Sequence, residues 1–424
     1  MTSNALQARP QTNTLNAAAQ PEQVVKLGLM GLVGLRLALV LVFLLNWIPL
    51  DLRNGWLLEH GGDQQAFFQL AISIINGDPQ PAVVALGQAL VMAPWIAWLR
   101  PEQFSDIIVP LVIINGFILG GFSVWVMGQT VWQITQEKWA SLMTAGLWAM
   151  LPLLMYVVFF WHPEWVILRS VSVPTFGWIN GLSDGPSLLF SMVAVWFLAL
   201  AFRAGTQAPW WQMVGIGAAL SLTIVFRVHY APMVLVILIY VWVTHGWRNL
   251  LIVCATGLIV YLPQAIYNQM VFGLPITAGY FSWGDIENYG GTFNRPISDM
   301  IASIPFSRAD FMQNIFGMFS SRPWILPPLL LGGIAYLSFV IQLWRKQGWQ
   351  PVVFLVVAPL AYLAMMSFST PFRADPLRFS MPILPYLMIV SIYGAGEGIN
   401  QLRQHTLPSP ATAYQPTQPE SDAI

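Results

Sequence analysis

Four polar stretches in an otherwise apolar chain carry the residue types that chemistry needs. Asp63 lies in GDQQAFFQL, Asp184 in GLSDGPSL, Arg227 and His229 in FRVHYAP, and Arg373 and Arg378 in STPFRADPLRFSMPILPY. A carboxylate can take a proton from an attacking hydroxyl. A guanidinium presents paired donors that match the oxygens of a phosphate. Each residue also has a structural reading. Asp63 and Asp184 stand where an aspartate caps a helix N-terminus, and Pro186 suits the first turn of the helix that follows Asp184. Arg227, His229, Arg373 and Arg378 serve equally as interfacial anchors or ion-pair partners beside a hydrocarbon core, where an unpaired charge is costly.

Further polar groups surround these. Glu59 and His60 form a charged cluster with Asp51 and Arg53 just before Asp63. A long connection, YNQMVFGLPITAGYFSWGDIENYGGTFNRPISDM, supplies Tyr280, Trp283, Asp285, Glu287 and Asn288. Aromatic faces stack on sugar C–H surfaces while amides and carboxylates bond hydroxyls, so this mixture suits a saccharide site; it also describes an ordinary interfacial loop. Arg36 interrupts an apolar run in GLVGLRLALV and reads as a packing or lipid contact.

The elements that must position these groups follow from composition. Of 424 residues 56% are apolar and 8% charged, where a soluble domain carries roughly 25% charge. The chain therefore reads as an all-α polytopic membrane protein. Eleven segments approach the length of about 20 apolar residues that a crossing needs: 28–49, 82–99, 105–128, 139–160, 186–202, 211–226, 230–244, 249–265, 326–344, 350–366 and 379–395. Placing Lys26, Arg100, Arg203, Arg248, Arg345 and Lys346 on the cytoplasmic side puts both termini inside and the connections 50–81 and 266–325 outside. Both termini on one side require an even number of crossings, so about 11–12 are expected, the twelfth falling in 162–180, which carries Arg169 and Pro174. After Gly61-Gly62, an amphipathic helix beginning at Asp63 is expected to lie along the membrane surface. Residues 1–24 read as a disordered cytoplasmic leader, 25–403 as the transmembrane domain and 404–424 as a disordered cytoplasmic tail.

Several function classes lose support. Eighteen basic and eighteen acidic residues cancel, with no broad basic patch for nucleic acid. Cys254 is the single cysteine, which excludes an intrachain disulfide and a thiolate metal cluster. GxxxxGK[ST], HExxH and GxGxxG are absent, so ATP-driven, zinc-hydrolytic and dinucleotide chemistry have no motif behind them. No cofactor is implied; external carboxylates leave a divalent metal open, but no spacing compels a site.

Taken in order, GDQQAFFQLAISIINGDP after a first crossing, LSDGPSLLF opening a later one, FRVHYAP, YNQMVFGLPITAGY and RFSMPILPY before the last resemble GT-C fold membrane glycosyltransferases, in particular the ArnT-like and protein O-mannosyltransferase-like branch. The resemblance spans residues 28–395. Two positions depart from the pattern: the frequent acidic pair appears here as Asp63-Gln64, and an arginine stands at 227 where a lysine is common.

The resemblance implies transfer of a sugar from a polyprenyl-phosphate donor, held by membrane lipid, to an envelope lipid, glycan or protein at the extracytoplasmic face of the plasma membrane. It implies that Asp63 is the catalytic base or an acceptor-positioning carboxylate, that Asp184 supports the pocket or its basic residues, and that Arg227 and Arg378, with His229 and Arg373, hold the donor phosphate. A single displacement would invert the anomeric carbon, and phosphate leaves without an acid to protonate it. The competing readings are a flippase or transporter of a lipid-linked saccharide, which would place its polar site near the midplane, and a structural subunit of a polysaccharide assembly complex. The oligomeric state is not readable.

Overall fold

A computed structural model describes residues 12–45, 63–82, 84–159, 182–273, 275, 311–314, 326–368 and 379–406. All regular structure among them is helical: α1 (Thr12–Leu44), α2 (Asp63–Ile75), α3 (Leu86–Leu99), α4 (Phe104–Thr135), α5 (Lys138–Phe159), α6 (Asp184–Ala204), α7 (Trp210–Phe226), α8 (Ala231–Phe272), α9 (Leu326–Gln347), α10 (Trp349–Ser367) and α11 (Leu384–Thr406). Each of the eleven apolar segments read from the sequence overlaps a helix among the described residues. Among the described residues, six helical stretches are long and apolar enough to cross a membrane by length and composition. The chain is accordingly a multi-pass membrane protein. Helix α1 also reaches back to Thr12, into the part of 1–24 read as an irregular leader. Its TNTLNAAAQ start is rich in helix-forming Ala, which an adjoining stable helix can propagate through at little cost.

Side-chain registers give the direction of every pass. Leu29 lies over Gly128 and Leu37 over Gly121, so α1 and α4 are antiparallel. Arg36 donates to the Ala149 carbonyl and Leu142 covers Gly28, so α5 runs with α1. Trp196 meets Phe122 and Arg203 bonds Gln133, which sets α6 alongside α4. Phe197 against Gly215 and Phe190 stacked on Phe226 make α7 antiparallel to α6. Helix α8 breaks at Gly246, whose φ of 82° and ψ of 171° fit no helix, so its two halves pass separately. Tyr230 on Tyr362 and Tyr240 on Phe354 pair the first half with an antiparallel α10. Phe339 over Gly394 and Lys346 on Glu397 run α9 parallel to α11.

These directions correct the crossing count. Helix α1 leaves the bundle at the end where α4 begins, so the chain between them makes no single net crossing. Helix α3, expected as a crossing over 82–99, is 14 residues long and lies between two passes that leave and re-enter at one end. It packs beside α2 rather than across the bundle. Phe67, Phe68, Leu70 and Ala71 of α2, Ala89, Met92 and Ile96 of α3, and Phe104, Ile107 and Leu111 of α4 share one apolar cluster, separate from the main core of α1 and α4 to α11. Helices α5 and α6 likewise leave and re-enter at one end, so no twelfth crossing is needed at 162–180, a stretch outside the described residues. The described helices make ten passes, an even number, and the parity conflict disappears.

The two ends differ in charge. Lys26, Lys138, Arg203, Arg248, Arg345, Lys346 and Arg403 lie at one end. Among the described residues the other end, where α2 and α3 pack, holds Arg227 and the exposed Arg100, which closes α3 in a left-handed conformation with φ 48°. Arg100 was expected on the basic side; it moves with α3. Arg36 is only 2% exposed, so it is a packing group inside the bundle and touches no lipid.

Candidate functional site

Helices α6 and α7 are antiparallel, so the first turn of α6 and the last of α7 meet at the end opposite the basic one. Asp184 opens α6 and is 1% exposed; Arg227 closes α7 and is 5% exposed. Arg227 Nη1 donates to Asp184 Oδ1 in a buried ion pair. Two such charges out of water are tolerable only because each answers the other, and removing one would strand its partner at a cost of about 3–5 kcal/mol. Asp184 lies in the first helical turn behind Ser183 and also benefits from the positive end of the helix dipole. Ser187 Oγ ties the Asp184 carbonyl into the same turn at 2.9 Å.

The guanidinium has a second neighbour that the sequence did not single out. Its Cζ stands 5.2 Å from the Phe379 ring centroid, and the His229 ring sits 6.0 Å from the same phenyl group. Phe379 is fixed in turn by its carbonyl, which accepts from Tyr362 Oη at 3.0 Å. A desolvated cation–π contact adds up to about 2 kcal/mol. Arg227 Nε has no hydrogen-bond partner among the described residues. Beneath the pair, Ser191 Oγ and Tyr386 Oη share a hydrogen bond of 2.8 Å, joining α6 to α11. Asp184, Arg227 and His229 are thus brought together by four helices, with Phe379 as the missed fourth member. Only its place directly after Arg378 hinted at it, and the chain has 25 phenylalanines.

Asp63 is the first residue of α2, as expected for an aspartate opening that helix, and is half-buried. The layer that carries it is pinned to the ion-pair helices. Leu86 N donates to Gln264 Oε1 at 2.8 Å, and Tyr267 Oη donates to the Gln80 carbonyl at 2.7 Å. Gly87 lies so close to α7 that a Cβ would stand 2.8 Å from the Val225 carbonyl oxygen, which excludes any side chain there. Leu182, two residues before Asp184, packs in the same cluster as Phe67 and Phe68, four and five residues after Asp63. The YNQM segment contributes Tyr267 and Asn268 to this junction, with Asn268 accepting from Gln264 at 2.8 Å. Glu59, His60, Tyr280, Trp283, Asp285, Glu287, Asn288, Arg373 and Arg378 lie outside the described residues.

No group of three or more His, Cys, Asp and Glu side chains able to hold a metal ion exists among the described residues. No protein-family model matches the sequence, and no curated protein matches it. Among solved structures, the chain is similar to an Archaeoglobus fulgidus oligosaccharyltransferase, solved with zinc and sulfate, at 14% identity and a TM-score of 0.47 over 88% of this chain and 50% of that one. It is also similar to the same enzyme tethered to an acceptor peptide with an NVT sequon, at 14% identity and a TM-score of 0.45 over 91% and 51% of the two chains. The structure of that archaeal enzyme, AglB, with an inhibitory peptide and a dolichol-phosphate gives 13% identity and a TM-score of 0.45 over 89% and 51%. The chain spans about half the length of these solved relatives.

Proposed function

We propose that this chain is a GT-C-like membrane glycosyltransferase that moves a sugar from a polyprenyl-phosphate donor to an envelope acceptor at the extracytoplasmic face. The observation that carries the reading is the buried Asp184–Arg227 pair at the end of the bundle that lacks lysine. That end is the outer one if the basic end faces the cytoplasm. An arginine is costly there and is held in place by an acid, an aromatic face and two helix ends, with Nε still unpaired. Such a preorganised guanidinium suits a phosphate that arrives within the bilayer and gains charge as its bond to sugar breaks. The sequence resemblance to the ArnT-like and protein O-mannosyltransferase-like branch supports the same donor class. Of the archaeal neighbour, one structure carries a dolichol-phosphate, a lipid phosphate as proposed here.

In this mechanism Asp63 takes the proton of an acceptor hydroxyl as the oxygen attacks the anomeric carbon. The bond from that carbon to the phosphate oxygen breaks, its electron pair stays on the phosphate, and Arg227, with Arg378 from the connection before α11, stabilises the charge. Attack opposite the leaving group inverts the configuration, and Asp184 orients Arg227 rather than donating a proton. Purified protein incubated with a panel of undecaprenyl-phosphate sugars and envelope extract is expected to yield transferred sugar by mass spectrometry. Asp63→Asn should lower the rate about 100- to 10,000-fold, the range of a lost general base, with donor affinity unchanged. Wild-type transfer by a folded Asp63→Asn protein would remove Asp63 from the mechanism.

A further inference from the structure

The layer between Asp63 and the ion pair contains a polar group that the packing leaves unanswered. Gln88 is fully buried, yet neither Nε2 nor Oε1 has a hydrogen-bond partner among the described residues. Each unmet buried polar atom costs about 1–3 kcal/mol, and such atoms are rare enough in native interiors to require an explanation. An apolar side chain would pack there at no such penalty.

Its position narrows that explanation. Residues 88, 92 and 96 recur at helical spacing on one side of α3. Met92 and Ile96 pack with Phe67, Phe68 and Ala71 of α2 and with Leu182. The preceding Gly87 abuts Val225 and Phe226, which lead into Arg227. Gln88 therefore stands where the segment carrying Asp63 meets those carrying Asp184 and Arg227.

We infer that Gln88 is a specificity-determining residue whose amide binds hydroxyls of the transferred sugar when the donor enters between α2 and α3; this rests on the donor reading above. The chemistry selects the ligand. A carboxamide has donors at one end and an acceptor at the other, and a hydroxyl both donates and accepts, so adjacent sugar hydroxyls satisfy both ends at once. A phosphate accepts only and would leave Oε1 unmet, and a polyprenyl chain offers neither. Phe67 and Phe68 in the adjoining cluster add the apolar surface that a sugar's C–H face requires.

The test compares how tightly the purified full chain binds undecaprenyl phosphate and a panel of undecaprenyl-phosphate hexoses, read by thermal stabilisation. In the wild type at least one hexose should tighten binding beyond the bare lipid phosphate. Gln88→Met, a straight-chain replacement of similar length, should weaken binding of that hexose carrier about 10-fold, as expected for the loss of two net hydrogen bonds. It should leave undecaprenyl phosphate binding intact and the unliganded protein as stable as the wild type or more so. Gln88→Leu provides the same comparison if the methionine variant folds poorly. The inference is overturned if the hexose preference survives both substitutions, or if both variants are destabilised without ligand, which would mark Gln88 as the seat of a structural water. Lipid phosphate binding with no gain from any hexose removes this role for Gln88 and leaves the donor reading standing; no binding of either removes both.

Discussion

A charged side chain inside a membrane protein must be answered by another group, and the answers here are specific. Arg227 is met by Asp184 and by the Phe379 ring. At the basic end, Lys346 Nζ meets Glu397 Oε2 at 3.1 Å, and Glu137, in the turn between α4 and α5, is crowded by the same Glu397. Burial first and the neighbouring Glu397 second push the Glu137 carboxyl above its ordinary value, partly offset by Trp139 and Lys346. A carboxyl whose pKa is higher folded than unfolded stabilises the fold while protonated. Its contribution is full below the unfolded value of about 4.3 and is lost as pH rises through the folded one. Thermal unfolding of the purified protein should therefore show stability declining across that window, and Glu137→Gln should flatten the decline and raise the melting temperature at neutral pH. An unchanged profile in Glu137→Gln would place the titration elsewhere. Asp184 and Arg227 were legible in the sequence because charge next to an apolar run demands a reason. Phe379 and Gln88 were not, because an aromatic in a tryptophan- and phenylalanine-rich chain and one amide among many carry no signal until packing shows what surrounds them.

At the scale of elements, hydrophobicity located each long apolar helix among the described residues and misread the path of one. Residues 82–99 are as apolar as a crossing because α3 is buried on one side by α2 and α4, and apolarity alone does not distinguish a helix that traverses the bilayer from one that packs across its end. Packing does distinguish them: α3 buries its apolar side with α2, between two passes that leave and re-enter the bundle at one end. The misplaced helix is also what made the crossing count odd and sent a twelfth crossing to 162–180. The two topologies differ at Arg100, which follows α3. With Cys254 replaced by serine, a cysteine at position 100 should react with a membrane-impermeant maleimide from the side that labels position 77 and opposite to the side that labels position 205. Labelling of position 100 together with position 205 would restore α3 as a crossing.

Among the described residues, ten helical passes sort the chain into a basic end and an end where α2 and α3 lie against the opening of α6 and the close of α7. That division places Asp63's helix and the Asp184–Arg227 pair in one layer, joined through Leu86–Gln264, Tyr267–Gln80 and the Leu182 cluster. The account depends on Arg227 being held ready for a lipid phosphate. Its most direct test is the affinity of purified protein for undecaprenyl phosphate, compared among the wild type, Arg227→Gln and the double variant Asp184→Asn with Arg227→Gln. The double variant leaves no buried charge unpaired, so it should fold at least as well as the single one. Both should lose affinity by about 10-fold or more, since a charge-assisted hydrogen bond contributes about 1.5–3 kcal/mol. Wild-type affinity in a folded double variant would show that the phosphate binds elsewhere and that the buried pair serves the bundle alone.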